Sequence, residues 1–167
     1  MDIVFDIDGT LANPDHRLHF ISEPVSWTGP FKRDWTSFLS DEEIAKDTPI
    51  PAAWELLYSL LNSGNRILFI TGRPESQRVT TFNWLMDTSC EVRAPVAWTL
   101  KKRRKGPFLF MRSNGDHRPS SDVKENLLHK SIKDGFSPAM AFEDRATDTE
   151  MWRRNGLFCC QVADGNY

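Results

Sequence analysis

The chain has 167 residues, enough for one domain with a sizeable core and too few for two full ones. Its 23 acidic and 21 basic residues nearly cancel to a net charge of −2, so bulk charge marks neither a nucleic-acid binder nor an acidic tail, and any electrostatic specialisation must be local. The longest apolar runs, ILFI and FLFM, are too short to span a bilayer, and no charged start precedes an apolar stretch of signal-peptide length, so a soluble, cytoplasmic protein is expected.

Met1 to Asp6 (MDIVFD) predicts a first strand, which ends by bringing Asp6 and Asp8 to nearly the same point before Gly9-Thr10. Like charges so placed need a cation, a shared proton or a ligand to offset them. Residues 13 to 50 are rich in Pro, Trp and charge, which predicts an irregular insertion over the end of that strand. PAAWELLYSLLNSG then has helical apolar spacing, with prolines before it and Gly64 as a stop. RILFI predicts a buried strand, Thr71-Gly72-Arg73 a tight turn, and Pro74 to Met86 a helix opened by proline. PVAWTL and PFLFM predict two further strands flanking the basic run KKRRK at 101–105. Ser121 to Lys133 reads as helix, PAMAFED as strand, RATDTEMWRRNG as a helix stopped by Gly156, and LFCCQVA as a last strand.

Short apolar segments alternating with longer amphipathic ones predict an α/β fold with an open parallel sheet, one domain over 1–167 with an insertion at about 13–50. Asp6 and Asp8, Thr71, and Glu143 with Asp144 then all stand at carboxyl ends of strands, where open α/β sheets bind their ligands. A calcium loop starting at Asp6 would need a glutamate where this chain has Arg17. Cys90, Cys159 and Cys160 are odd in number with two adjacent, which suits reduced thiols in a cytosol-like compartment, and no CxxC spacing suggests zinc. The scattered His16, His19, His117 and His129 read as ordinary surface histidines.

FDIDGTLA, FITGR, DVKENLL and FEDR, in this order, resemble the four motifs of the haloacid dehalogenase (HAD) superfamily of phosphotransferases. FMRSNGDHRPSSDVK and AFEDRATDTEMWRRNGLFCCQVADGNY further resemble the phosphatase domain of the phage polynucleotide kinase-phosphatases. The resemblance covers nearly the whole chain and is weakest at about 19–50 and 87–106. It implies a HAD-like Rossmannoid three-layer sandwich with a small insertion after the first strand. The implied activity is a Mg2+-dependent phosphomonoesterase working through an aspartyl-phosphate, on 3'-phosphorylated polynucleotide ends or on nucleotides. If the chain is phage-encoded, its compartment is the host cytoplasm.

Carried onto this chain, the resemblance implies Asp6 as nucleophile and Asp8 as general acid and then base. The Asp6 carboxylate, the Asp8 backbone carbonyl and Asp144 are the implied Mg2+ ligands, with Thr71 and Lys124 on the phosphate. Arg17, Gly72, Arg73, Arg112 and Arg118 fall where phosphate or nucleotide contacts are expected, because a guanidinium pairs bidentately with phosphate. A structural salt bridge is the alternative for Arg17, Arg73 and Arg145. Asp148 is either the second acid of the last motif or a surface residue. The phage phosphatases usually carry an aspartate four residues before the lysine, where this chain has Ser120, and Asp122 is the candidate to compensate. No GxxxxGK[ST] loop occurs, so a phosphatase without a kinase half is expected.

The insertion adjoins the catalytic aspartates and should choose the substrate. Its Trp27, Phe31, Trp35 and Phe38, with Lys32 and Arg33 between, can stack bases and hold phosphates, or can form a small core of their own. The KKRRK run can touch a polynucleotide or simply be solvated. A 5'-nucleotidase for free nucleoside monophosphates is the alternative enzyme, and a catalytically idle nucleic-acid-binding module the alternative of another class. Intact Asp6 and Asp8 argue against the idle module.

Overall fold

The structure is a computed structural model that describes residues 1–22, 29–92 and 108–165. Its centre is β1 (Asp2–Phe5), buried at every position because other strands flank it on both edges. Around the short β2 (Ala12–Asn13) and β3 (Thr48–Pro49), the remaining strands are β4 (Arg66–Pro74), β5 (Phe108–Arg112), β6 (Pro138–Glu143) and β7 (Phe158–Gln161). The main sheet has five strands in the order β5-β4-β1-β6-β7, and every pairing in it is parallel.

Helices α1 (Trp35–Phe38) and α2 (Asp41–Ile44) lie in the insertion; α3 (Pro51–Asn62), α4 (Arg78–Val92), α5 (Ser120–Lys133) and α6 (Ala146–Arg154) cover the sheet. The two-residue period of the strands divides the core between the faces. Ile3, Phe5, Ile67 and Phe69 pack with Trp54 and Leu57 of α3 and Leu85 of α4. Val4, Leu68 and Ile70 face the other way, toward Val123 and Leu127 of α5 and Met151 and Trp152 of α6. Both faces being covered explains why the strands read as unbroken apolar runs.

The insertion is more ordered than the sequence suggested. β2 and β3 pair antiparallel and close its base, and Leu11 fixes the closure by accepting from Ile50 N–H at 2.9 Å and Trp54 Nε1 at 3.1 Å. Within it, Asp34 accepts from Ser37 N–H at 3.0 Å and Ser40 from Glu43 N–H at 3.3 Å, which caps α1 and α2. The expected turn at Thr71-Gly72-Arg73 is instead extended, the end of β4, where the register against β5 shifts between Thr71 and Pro74. The Arg112 guanidinium takes over there, donating to Gly72 C=O at 2.8 Å. Pro74 remains extended, so α4 begins at Arg78 after a 3-10 turn at Glu75–Gln77, not at the proline, and continues past Met86 to Val92. The expected strand PVAWTL, the KKRRK run and Trp27 lie outside the described residues. Among the described residues no helix is long and apolar enough to cross a membrane.

Candidate active site

Three strand ends deliver the polar groups. Asp6 follows β1, its N–H donating to Phe142 C=O of β6 at 3.1 Å, and Glu143 and Asp144 end β6 alongside it. Lys124 rises from the first turns of α5, buried except for its ammonium contacts. Its Nζ lies 2.8 Å from Asp6 Oδ1, 2.8 Å from Glu143 Oε2 and 2.9 Å from Asp148 Oδ2. Burial opposes charge on this lysine, but Asp6, Glu143 and Asp148 outweigh it and hold its pKa well above the usual value. Asp6 is driven the other way: burial first, then the Glu143 charge, raise its carboxyl well above the usual carboxylate range despite Lys124.

Asp148 is fully buried, not a surface residue, and its other oxygen contacts include Ser120 Oγ, which donates to Asp148 Oδ2 at 2.8 Å. Burial works against its charge, yet Lys124 and Ser120 keep its pKa below the usual value. Asp122 is exposed on α5, and no contact from it to Lys124 is present; the three partners of Lys124 are Asp6, Glu143 and Asp148. Glu143, placed at this strand end by the sequence but given no role by the motifs, is part of the cluster. Trp152 Nε1 donates to its Oε2 at 3.0 Å, and the signal available was its position at the same strand end as Asp144.

Asp6, Glu143 and Asp144 each present a carboxylate oxygen within 4.8 Å of one another, all three buried. A buried all-oxygen, all-anionic donor set fits a hard cation such as Mg2+. Glu143 thus joins Asp6 and Asp144, while the Asp8 carboxylate turns elsewhere. Arg73 Nε donates to Asp8 Oδ2 at 3.0 Å, and Arg17 Nη2 and Arg73 Nη2 both reach Asp8 Oδ1 at 2.5 Å. Burial opposes its charge, but Arg73 and then Arg17 hold the Asp8 carboxyl far below the usual range.

A cleft of about 760 Å³ opens over these groups, lined by Asp6, Asp8, Lys124, Glu143 and Asp144 at its floor. Gly72, Arg112 and Arg118 also line it; Thr71, Arg17 and Arg73 stand buried behind the wall. Thr71 Oγ1 accepts from Arg73 N–H at 3.2 Å. Arg112 Nη1 donates to Asp116 C=O at 2.9 Å and Arg118 C=O at 2.8 Å, so it ties the loop 113–119 to the end of β4. Exposed Arg118 pairs with Asp116 at 2.7 Å. Arg145 lines the cleft as well, and its N–H points at Glu143 Oε1 over 3.4 Å. The insertion supplies the outer wall: Trp35 is 42% exposed there and stands edge-on to buried Phe38, their centroids 5.6 Å apart.

A family profile described as "Polynucleotide kinase PNKP phosphatase domain" matches residues 1–167. The chain belongs to that family. Its reaction class is therefore that of a phosphatase. The fold agrees: a chain in the structure titled "Structure of the Pnkp1/Rnl/Hen1 RNA repair complex" superimposes with a TM-score of 0.62 at 21% identity, over 99% of this chain and 43% of the other. This PNKP-type phosphatase domain thus spans less than half of the Pnkp1 chain it matches. A haloacid dehalogenase-like hydrolase from Streptococcus pneumoniae gives a TM-score of 0.57 at 16% identity, covering 95% and 82%. CbbY from Rhodobacter sphaeroides, in complex with phosphate, gives 0.56 at 18%, covering 95% and 84%. The parallel five-stranded α/β fold of the PNKP phosphatase family member is that of the HAD-like proteins.

Proposed function

We propose that this phosphatase hydrolyses phosphate monoesters at the 3' ends of nucleotides or polynucleotides through an aspartyl-phosphate on Asp6. The observation that carries the reading is Asp6 itself, held by Lys124 at 2.8 Å in a cleft that the exposed Trp35 of the insertion also lines. An Asp6 oxygen attacks phosphorus, the bond from phosphorus to the ester oxygen breaks, and Asp8 passes a proton to the departing oxygen. Water then attacks phosphorus, Asp8 takes its proton, and the bond to Asp6 breaks to release phosphate. Arg73 and Arg17 favour the ionised form of Asp8, so the proton it passes to the departing oxygen is one it takes up from solvent or from the ester as the substrate binds.

Lys124 stabilises negative charge between the attacked phosphate and Asp6. The Gly72 backbone borders the phosphate position in the cleft, beside buried Thr71, whose hydroxyl accepts from Arg73 N–H. Asp6, Glu143 and Asp144 would hold Mg2+, which when bound offsets the anionic charge of nucleophile and phosphate. Arg17 and Arg73 serve the reaction through Asp8, and Arg112 and Arg118 through the loop that borders the substrate.

The test is phosphate release from a 3'-phosphorylated oligonucleotide, a nucleoside 5'-monophosphate and p-nitrophenyl phosphate, with Mg2+ and with excess chelator. Turnover of the oligonucleotide is expected only with the metal, and Asp6→Asn abolishes it. Turnover of the 5'-monophosphate alone would replace this reading with a nucleotidase, and full activity of Asp6→Asn would overturn the assigned nucleophile.

A further inference from the structure

Asp47 closes the far end of the insertion, one residue before β3, and no motif marks it. Its side chain is fully buried, as are those of Arg17 and Arg73, whereas Asp8 is 15% exposed and lines the cleft. Asp47 accepts from Arg17 Nε at 2.7 Å, Arg17 Nη2 at 2.8 Å and Arg73 Nη2 at 2.6 Å. The same two guanidiniums grip Asp8 from behind. Two cations and two carboxylates therefore form a balanced cluster in which Asp8 alone reaches the substrate space.

Asp47 is itself fixed from the main fold. Its C=O accepts from Trp84 Nε1 of α4 at 2.8 Å, and its N–H donates to Ile44 C=O at 3.2 Å. Arg17 has one further anchor, Phe38 C=O at 2.9 Å, and its guanidinium lies 4.2 Å from the Phe38 ring centroid. Without Asp47 the cluster would hold two buried guanidiniums against one carboxylate, and the unmatched cation would have to draw on Asp8 or another oxygen. An asparagine there offers one acceptor oxygen and turns an N–H2 toward a guanidinium.

We infer that Asp47 is a positioning residue: by saturating the inner faces of Arg17 and Arg73 it sets the direction in which Asp8 meets the leaving oxygen. The inference rests on the reading of Asp8 as the proton-transfer group, and its geometry reaches Asp8 only through the two arginines. It accounts for the long insertion returning to β3 beside the site, since that return carries the counter-charge in.

The experiment exploits leaving groups. Expelling p-nitrophenolate from p-nitrophenyl phosphate needs no proton, whereas expelling the sugar oxygen of a 3'-phosphorylated oligonucleotide does. Stopped-flow bursts of p-nitrophenolate report the first step on the aryl ester, and rapid-quench single turnovers report it on the oligonucleotide. In Asp47→Asn the rate on the oligonucleotide should fall on the order of ten- to a hundredfold further than the aryl burst rate. Asp47→Glu, which keeps the carboxylate, should recover part of that gap. Equal losses on the two substrates overturn the inference, because a merely structural Asp47 would slow both alike. If Asp47→Asn does not fold, Asp47→Glu takes its place: it keeps the charge but displaces the carboxylate, so a smaller selective loss on the oligonucleotide is expected, and equal losses on the two substrates refute the inference. Asp8→Asn runs alongside. Selective loss in Asp8→Asn without it in Asp47→Asn sinks the Asp47 role alone; equal activity of Asp8→Asn on both esters sinks the reading of Asp8 and the inference with it.

Discussion

Replacing Lys124 by methionine keeps the length of the side chain and removes only its ammonium. That ammonium sits 2.8, 2.8 and 2.9 Å from oxygens of Asp6, Glu143 and Asp148, and all four side chains are buried. Removing one partner of a buried ion pair costs about 3–5 kcal/mol, because the remaining charge is stranded in a poor solvent for it. Here three carboxylates lose their shared cation, so the upper part of that range is expected. For a domain of this size each kcal/mol is about 2–4 °C of melting temperature, which for about 4–5 kcal/mol gives a fall of roughly 8–20 °C. The pH dependence has a definite sign. Without the ammonium the stranded carboxylates acquire folded pKa values above their unfolded ones, so the variant's deficit grows as pH rises through those values and shrinks as pH falls.

Lys46→Met is the internal control. Lys46 also touches two carboxylates, Glu42 at 3.1 Å and Glu43 at 2.7 Å, but its side chain is 51% exposed. Solvent screens such a pair, so its loss should lower the melting temperature far less than that of Lys124. Differential scanning calorimetry of the two variants at pH 5 and pH 8 makes the comparison. Equal melting shifts for Lys124→Met and Lys46→Met, or a Lys124→Met deficit that does not change with pH, would refute the assignment of Lys124 as the cation of a buried acidic cluster.

Trp35→Ala should raise KM for a 3'-phosphorylated oligonucleotide by about 5- to 150-fold, the worth of 1–3 kcal/mol of base stacking, and change p-nitrophenyl phosphate kinetics much less. An equal change on both substrates would remove the stacking role. Asp148, held below the usual carboxylate range, contributes stability that is complete above its unfolded pKa near 4 and is lost as pH falls through its lower folded value. Asp148→Asn should therefore lie furthest below wild type in urea midpoint at pH 6 and approach it at pH 3; a constant difference would show that the carboxylate is not charge-paired.

Much of the fold was legible because a parallel sheet covered on both faces writes itself as apolar runs, and DIVF, RILFI, FLFM, PAMAF and FCCQ became its five strands. The extended stretch at Thr71-Gly72-Arg73 was not legible, since it is held open by Arg112, a residue some forty positions away whose choice of the Gly72 carbonyl no local pattern encodes. The partners of Arg17 and Arg73 were hidden for the same reason. Asp47 sits in SDEEIAKD, a string that reads as a solvated acidic face, and only the return of the insertion to β3 carries it under the sheet end. Spacing left Asp148 open between the second acid of the last motif and a surface residue; its place in the first turn of α6 aims it inward at Lys124, which no count along the chain could decide.

The two charge clusters are neutralised in different ways, and the difference bears on what the site attracts. Around Asp8, two guanidiniums match two carboxylates, so that half of the site is complete within the chain. Around Asp6, the carboxylates of Asp6, Glu143 and Asp148 share the Lys124 ammonium with Asp144 close by, and burial, then the Glu143 charge, raises the Asp6 carboxyl. A phosphate dianion approaching such a surface would be repelled. Under the proposed mechanism a cation offsets that repulsion, and the oxygen donors of Asp6, Glu143 and Asp144 suit a hard divalent one. In that proposed mechanism the asymmetry divides the labour: Asp8 is a preassembled proton-transfer arm on one side, and on the other stands Asp6, whose field metal and substrate would complete.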